Sequence, residues 1–141
     1  MATSERNNNQ DIRLTIQRLA RRIRSMQSDE TVTEGQRSVL FALSNNGAQT
    51  LSSLSEHERV TPPSMNRTIN ALVKAGLVTR VGAEDDGRKV SIDLSPAGRI
   101  FIAETRRKRD AWFTKQLAAL TPAERLIVSQ AATILRGIAD S

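Results

Sequence analysis

The segment from Thr61 to Gly76 limits what this chain can fold into more than any other. Thr61 followed by Pro62 is a helix start: the threonine hydroxyl caps a backbone N–H, and proline at the first helical position loses no hydrogen bond. Met65, Ile69, Leu72 and Val73 then fall on one face at helical spacing. Pro63, Arg67, Asn70 and Lys74 fall opposite, with Ser64 and Asn66 on the flanks, and Gly76 ends the helix. Two short segments of strand character follow. Residues 77–81 read as one strand and 89–94 as a second, in which Val90, Ile92 and Leu94 alternate with polar neighbours. The link between them has glycine near each end and charge at its tip, as a solvent-exposed hairpin loop has.

The rest of the chain reads as helix. Ile12, Ile16, Leu19, Ile23 and Met26 recur at spacings of four and three, a narrow stripe suited to packing against a partner helix. Thr33 and Gln36 have the form of a capping box, opening a helix that carries Val39, Leu40 and Leu43 and stops near Gly47. Thr50 caps a short helix through Leu51 and Leu54, and Arg59 lies in the turn that follows. Ser95 and Pro96 repeat the cap-plus-proline start, for a long helix to about residue 119. Thr121, Pro122 and Glu124 open the last helix, expected to bury Leu126, Ile127, Ala131, Ile134, Leu135 and Ile138.

The fold class is therefore mainly α with a small β-hairpin wing. A winged helix-turn-helix core, residues 31–95, is flanked by an N-terminal helix, 1–30, whose stripe of Ile12, Ile16, Leu19 and Ile23 suits dimerisation, and by C-terminal helices, 96–141.

Duplex DNA is the partner this order of elements fits. A helix about 10–12 Å across enters a major groove about 12 Å wide, provided it buries one face and offers polar and cationic groups on the other. Arg67 has the donors for guanine O6/N7, and Asn66 or Asn70 can pair bidentately with adenine N6/N7. Thr61 and Ser64 lie near the positive helix N-terminus, where phosphate is favoured. A charged helix face alone is usually only solvated. The adjoining hairpin tips the balance, because Arg88 sits where its loop joins the second strand, beside Lys89. Asp86, on the same face, can hold that guanidinium extended toward a narrow minor groove. Glu84 and Asp85 would repel phosphate, so the base of the wing and not its tip is expected to approach DNA.

Composition closes off other classes. Lys and Arg number 21 against 15 Asp and Glu, a formal charge of +6 that favours a polyanionic partner. Aromatic residues are 3% of the chain, too few for a base-stacking platform that reads single strands. No cysteine is present, which excludes disulfides and thiol-ligated metals, and the one histidine, His57, does not make a zinc site. With no phosphate-binding glycine loop and no base beside a nucleophile, nothing reads as catalytic. No cofactor is expected. The polar start has no apolar leader and no stretch is long enough to span a bilayer, so the cytoplasm is the expected location.

The stretch from Val60 to Val78, with the Asp86-Gly-Arg88 run and the Leu94-Ser-Pro-Ala-Gly98 run, resembles the MarR family across recognition helix, wing and following helix. The resemblance covers nearly the whole chain. It implies a homodimer whose first and last helices intertwine above two DNA-binding lobes, usually a repressor, on an inverted-repeat operator. The same resemblance implies that the C-terminal helices, 96–141, also serve dimerisation, through Leu126, Ile127, Ile134, Leu135 and Ile138. It also implies release by a small-molecule effector, often phenolic or anionic. DNA contacts carried onto this sequence are Thr61, Ser64, Asn66, Arg67 and Arg88, with Asp86 orienting Arg88. Pro62 and Pro63 together depart from the pattern and remove two backbone donors at the helix start that would otherwise meet phosphate. An effector pocket would draw on Ile16, Phe41 or Phe101, residues that serve equally as plain core. Arg106 to Arg109 form a basic run expected on the exposed face of a dimerisation helix; holding an anionic effector is the other reading. The competing function is a low-specificity architectural DNA-binding protein, against which the mixed polar face of the 61–76 helix argues. A winged helix that has lost DNA binding and serves only protein contacts is disfavoured by Arg67 and Arg88.

Overall fold

The computed structural model describes residues 1–26, 31–82 and 90–141, so the expected wing residues Asp86, Arg88 and Lys89 lie outside the described residues. The chain forms two compact units, Gln27–Arg106 and the pair of segments Met1–Met26 and Arg107–Ser141.

Within the first unit, each helix begins where a side chain supplies a missing acceptor. Thr33 and Gln36 exchange bonds of 3.1 and 3.0 Å in a complete capping box at the start of α2 (Glu34–Asn46). Gly47 closes that helix at φ 79°, a left-handed conformation that glycine adopts without steric cost. The two residues after Ala48 form a strand that sequence reading missed, β1 (Gln49–Thr50). Thr50 then caps α3 (Leu51–Glu58), accepting from the Ser53 amide. α4 (Pro62–Lys74) follows, and then β2 (Val78–Gly82) and β3 (Val90–Leu94). The sheet is antiparallel in the order β1-β3-β2, with Val78 opposite Leu94, Gly82 opposite Val90 and Gln49 opposite Ile92.

The core of this unit joins all of these elements. Val39, Leu40 and Leu43 from α2 pack with Leu54 from α3, Met65, Ile69 and Leu72 from α4, and Val78, Ile92 and Leu94 from the sheet. Ile102, early in α5 (Pro96–Ala118), completes it. Val73, assigned to the apolar face of α4 from its spacing, is instead exposed: it lies at the edge of the stripe that Met65, Ile69 and Leu72 define. Arg37 is buried on α2, where its guanidinium donates to Glu34 Oε2 and to the Val32 carbonyl, each at 3.0 Å. Burying a guanidinium is tolerated only with such pairing.

The start of α5 is tied to the turn between α4 and β2. Ser95 Oγ accepts from the Gly98 amide at 3.0 Å and donates to the Gly76 carbonyl, while the Ser95 amide donates to the Leu77 carbonyl at 3.0 Å. Gly98 is buried, and a Cβ placed on it would lie 2.0 Å from the Leu77 oxygen.

The second unit holds α1 (Ala2–Arg24), the later part of α5 and α6 (Pro122–Ala139). α1 starts well before the apolar stripe, because no glycine or proline interrupts the first 34 residues. At the head of α6, Thr121 and Glu124 form a capping box, and the hydrogen bonds from Thr121 hold the Glu124 carboxyl below the usual carboxylate range. Arg22 lays its guanidinium over the Trp112 ring, 5.6 Å from the centroid. The expectation that α6 buries its apolar residues is not met within one chain. No residue of α1 or α6 is buried, and Leu126, Ile127, Ile134 and Ile138 are each 60% exposed or more. Too little of the same chain covers these helices.

Candidate nucleic-acid interface

α4 is built to bury one face and offer the other. Its three buried residues, Met65, Ile69 and Leu72, fix its roll against the core. Arg67, Asn70 and Lys74 are thereby left exposed on the opposite side and Asn66 exposed on the flank, with Pro63 exposed and Ser64 half-buried at the start. From Thr61 through Gly82 the chain carries Arg67, Lys74 and Arg80 and no carboxylate. That 22-residue stretch therefore carries only positive side-chain charge. Arg67 and Lys74 make no hydrogen bond or ion pair with any described residue, so their donors are open to a ligand.

Few backbone donors are left open at the helix start. Of the first four N–H groups of a helix, the ones normally open to an anion, two are absent here because Pro62 and Pro63 have none. The Ser64 amide donates to Thr61 Oγ1 at 3.3 Å, and the Met65 amide donates to the Thr61 carbonyl at 2.9 Å. Ser64 therefore has only its hydroxyl proton to offer a phosphate, whereas Thr61 has its hydroxyl proton and its own amide, which donates to no described residue.

Asn66 and Asn70 are not free either. Arg80, on β2, donates from Nη2 to Asn66 Oδ1 at 3.2 Å and to Asn70 Oδ1 at 2.5 Å. This bridge between α4 and β2 was missed from the sequence. Its trace was there: strand alternation puts Arg80 on the same face as Val78, the face turned toward α4.

Arg59, in the turn between α3 and α4, takes φ 55° and ψ 45°, the only left-handed non-glycine residue among the described residues. A side chain there costs about 1 kcal/mol or more. Arg59→Gly is therefore expected to raise the melting temperature by a few degrees in a thermal unfolding scan; a lower one would show that the arginine side chain itself holds the turn.

Among the described residues no group of histidine, cysteine or carboxylate side chains could hold a metal ion, and no helix is long and apolar enough to cross a membrane. Phe41 and Phe101 are half-buried against the core of the first unit, whereas Ile16 belongs to the second. In the basic run, Arg106 donates to Asn45 Oδ1 at 2.8 Å and stacks on Phe41.

Three helices, with α3 and α4 joined by a tight turn, and an antiparallel β2–β3 pair behind them define a winged helix-turn-helix. The MarR family model matches residues 32–90. The HTH-type transcriptional regulator Mb0904 of Mycobacterium bovis is 37% identical over 130 residues, covering 92% of this chain and 91% of its own. The crystal structure of RV1404 from Mycobacterium tuberculosis superposes with a TM-score of 0.83 at 27% identity, over 96% of this chain and 94% of that one. BpsR of Bordetella bronchiseptica, whose DNA binding is regulated by 6-hydroxynicotinic acid, shares the fold at a TM-score of 0.64 and 24% identity, over 94% and 98% of the two chains. The chain belongs to the MarR family of DNA-binding transcriptional regulators.

Proposed function

We propose that this regulator is a repressor that acts as a homodimer on an inverted-repeat operator, with α4 of each protomer in the major groove. The observation that carries this reading is the exposed side of α4: Arg67 and Lys74 have no partner among the described residues, no carboxylate occurs from Thr61 to Gly82, and the residues opposite them are locked into the core. Such a helix is fixed in roll and open in chemistry. Arg67 reads guanine, Lys74 and the Thr61 and Ser64 hydroxyls meet phosphate, and Pro63 packs at the groove edge. At the wing, Arg88 enters the minor groove oriented by Asp86, with Lys89 beside it, as the family motif implies.

Dimerisation falls to residues 1–30 and 96–141. Ile12, Ile16, Leu19 and Ile23 on α1 repeat at 4-3-4 spacing, and Ile127, Ala131, Ile134 and Ile138 on α6 do the same. Leu126 and Leu135 widen the second stripe. Apolar faces of this extent on otherwise polar helices favour a partner helix over water. A small-molecule effector is part of the same reading, by analogy with BpsR and its 6-hydroxynicotinic acid.

Selection from a random duplex DNA pool at near-physiological salt tests the reading. An inverted repeat with half-site centres about one helical turn, 34–36 Å, apart is the expected result. Enrichment of merely bendable or A·T-rich DNA would replace it with the architectural reading. Arg67→Ala is expected to cost about 1–3 kcal/mol and to relax preference at one position per half-site. An equal loss on all sequences would show that Arg67 touches only the backbone.

A further inference from the structure

The Arg80 bridge changes what α4 can read. We propose that Arg80 sets the base preference of the recognition helix by holding the side-chain oxygens of both Asn66 and Asn70, so that each amide faces the groove as a donor only. The inference rests on the reading above, in which α4 occupies the major groove.

A guanidinium carries donors and no acceptor, so the atom it meets on each asparagine is necessarily the oxygen. The two asparagines lie four residues apart on one helix face, within reach of a single Nη2, at 3.2 and 2.5 Å. Arg80 is fixed from the other side by β2, where it pairs with Ile92 in the middle of the β2–β3 ladder. No carboxylate from Thr61 to Gly82 competes for it. All three side chains are exposed.

Asparagine recognises adenine by accepting from N6 through Oδ1 while donating from Nδ2 to N7. With Oδ1 turned back toward Arg80, that paired contact is broken. The Nδ2 donors remain, and they favour bases whose major-groove edge offers acceptors with no donor beside them, guanine through O6 and N7 and thymine through O4, over adenine, whose single acceptor N7 lies beside the N6 donor. A helix that by sequence alone reads adenine at these positions is thus converted by a residue on the neighbouring strand into one that favours guanine or thymine.

The test is the pool selection repeated with the full chain and with Arg80→Met, which keeps the aliphatic stem and removes the guanidinium. Positions read by the asparagines are identified by the preferences lost in Asn66→Ala and Asn70→Ala. The wild type is expected to favour guanine or thymine there, and Arg80→Met to shift toward adenine by about tenfold. Adding Asn70→Ala to Arg80→Met should erase the gained adenine preference at one position. Wild-type preference for adenine at those positions overturns the proposal whether or not the Arg80 variant folds. An Arg80→Met variant with unchanged base preferences, weaker on all sequences alike and less salt-dependent, also overturns it and makes Arg80 a phosphate contact. Failure of the wild type to enrich any sequence would instead remove the α4 reading itself.

Discussion

Gly98→Ala is expected to destabilise the protein by about 3 kcal/mol, the upper part of the range for overpacking a core. The sign is what makes this result informative. Glycine inside a helix is about 1 kcal/mol worse than alanine on propensity alone, so on local grounds the change should stabilise α5. The added methyl would lie 2.0 Å from the Leu77 oxygen, 3.1 Å from its carbonyl carbon and 3.2 Å from Leu94 Cδ2. The first two are backbone atoms and cannot swing aside. Leu77 is also held there, since its oxygen accepts the Ser95 amide and the neighbouring Gly76 carbonyl accepts Ser95 Oγ. Relief therefore requires α5 to separate from the α4–β2 turn, which loosens Val78 and Leu94 in the core. A urea or thermal melt measures the effect, and an alanine variant as stable as wild type would mean that the two backbones are not in contact.

The second large effect is expected from Ile134→Glu on α6. Ile134 is 67% exposed within one chain, so a charge there costs the isolated chain little. In the proposed dimer the same charge would be buried against an apolar partner face without a counter-ion, which is strongly unfavourable. The variant should sediment as a folded monomer at micromolar concentration, with helical content unchanged. Its affinity for a two-half-site operator should fall by about 100-fold or more, because the second half-site is no longer delivered by a linked copy. A variant that remained dimeric would move the interface away from this stripe. A wild-type chain that sedimented as a monomer would remove the dimer altogether.

What the sequence disclosed, and what it withheld, follows the range of the forces involved. The helix starts at Thr33, Thr50, Thr61 and Thr121 depend on a hydroxyl and an amide three residues apart, so they are legible from a short window. The buried face of α4 and the alternation of Ile92 and Leu94 are equally local, and they carried the fold class. β1 was not legible, because a two-residue strand exists only through its pairing with Ile92 and Ser91 some forty residues later. The burial of Arg37 ran against the usual behaviour of arginine and depends on a carbonyl five residues back. At the candidate site, the residue types on α4 were readable, but the state of the amides was not. That depends on Arg80, 10 and 14 residues further on and in a different element. Gly98 was visible as part of a motif, whereas its reason, the approach of the Leu77 carbonyl, is tertiary.

The paired prolines at the head of α4 have a thermodynamic consequence. A helix that docks on phosphate through its own amides uses groups already immobilised by the fold. Here two of those amides are absent and that of Ser64 is engaged, which leaves the Thr61 amide, and the proposed contacts of Arg67 and Lys74 come from long, exposed side chains. Each such chain, once ordered, costs about 0.5–1.5 kcal/mol of entropy. Asn66, Asn70 and Arg80 are already ordered by one another. Calorimetric titration of an operator should divide the surface accordingly: loss of Arg67 would make binding less exothermic and its entropy more favourable, while loss of Arg80 would make the entropy less favourable, because two amides would have to be ordered on the DNA.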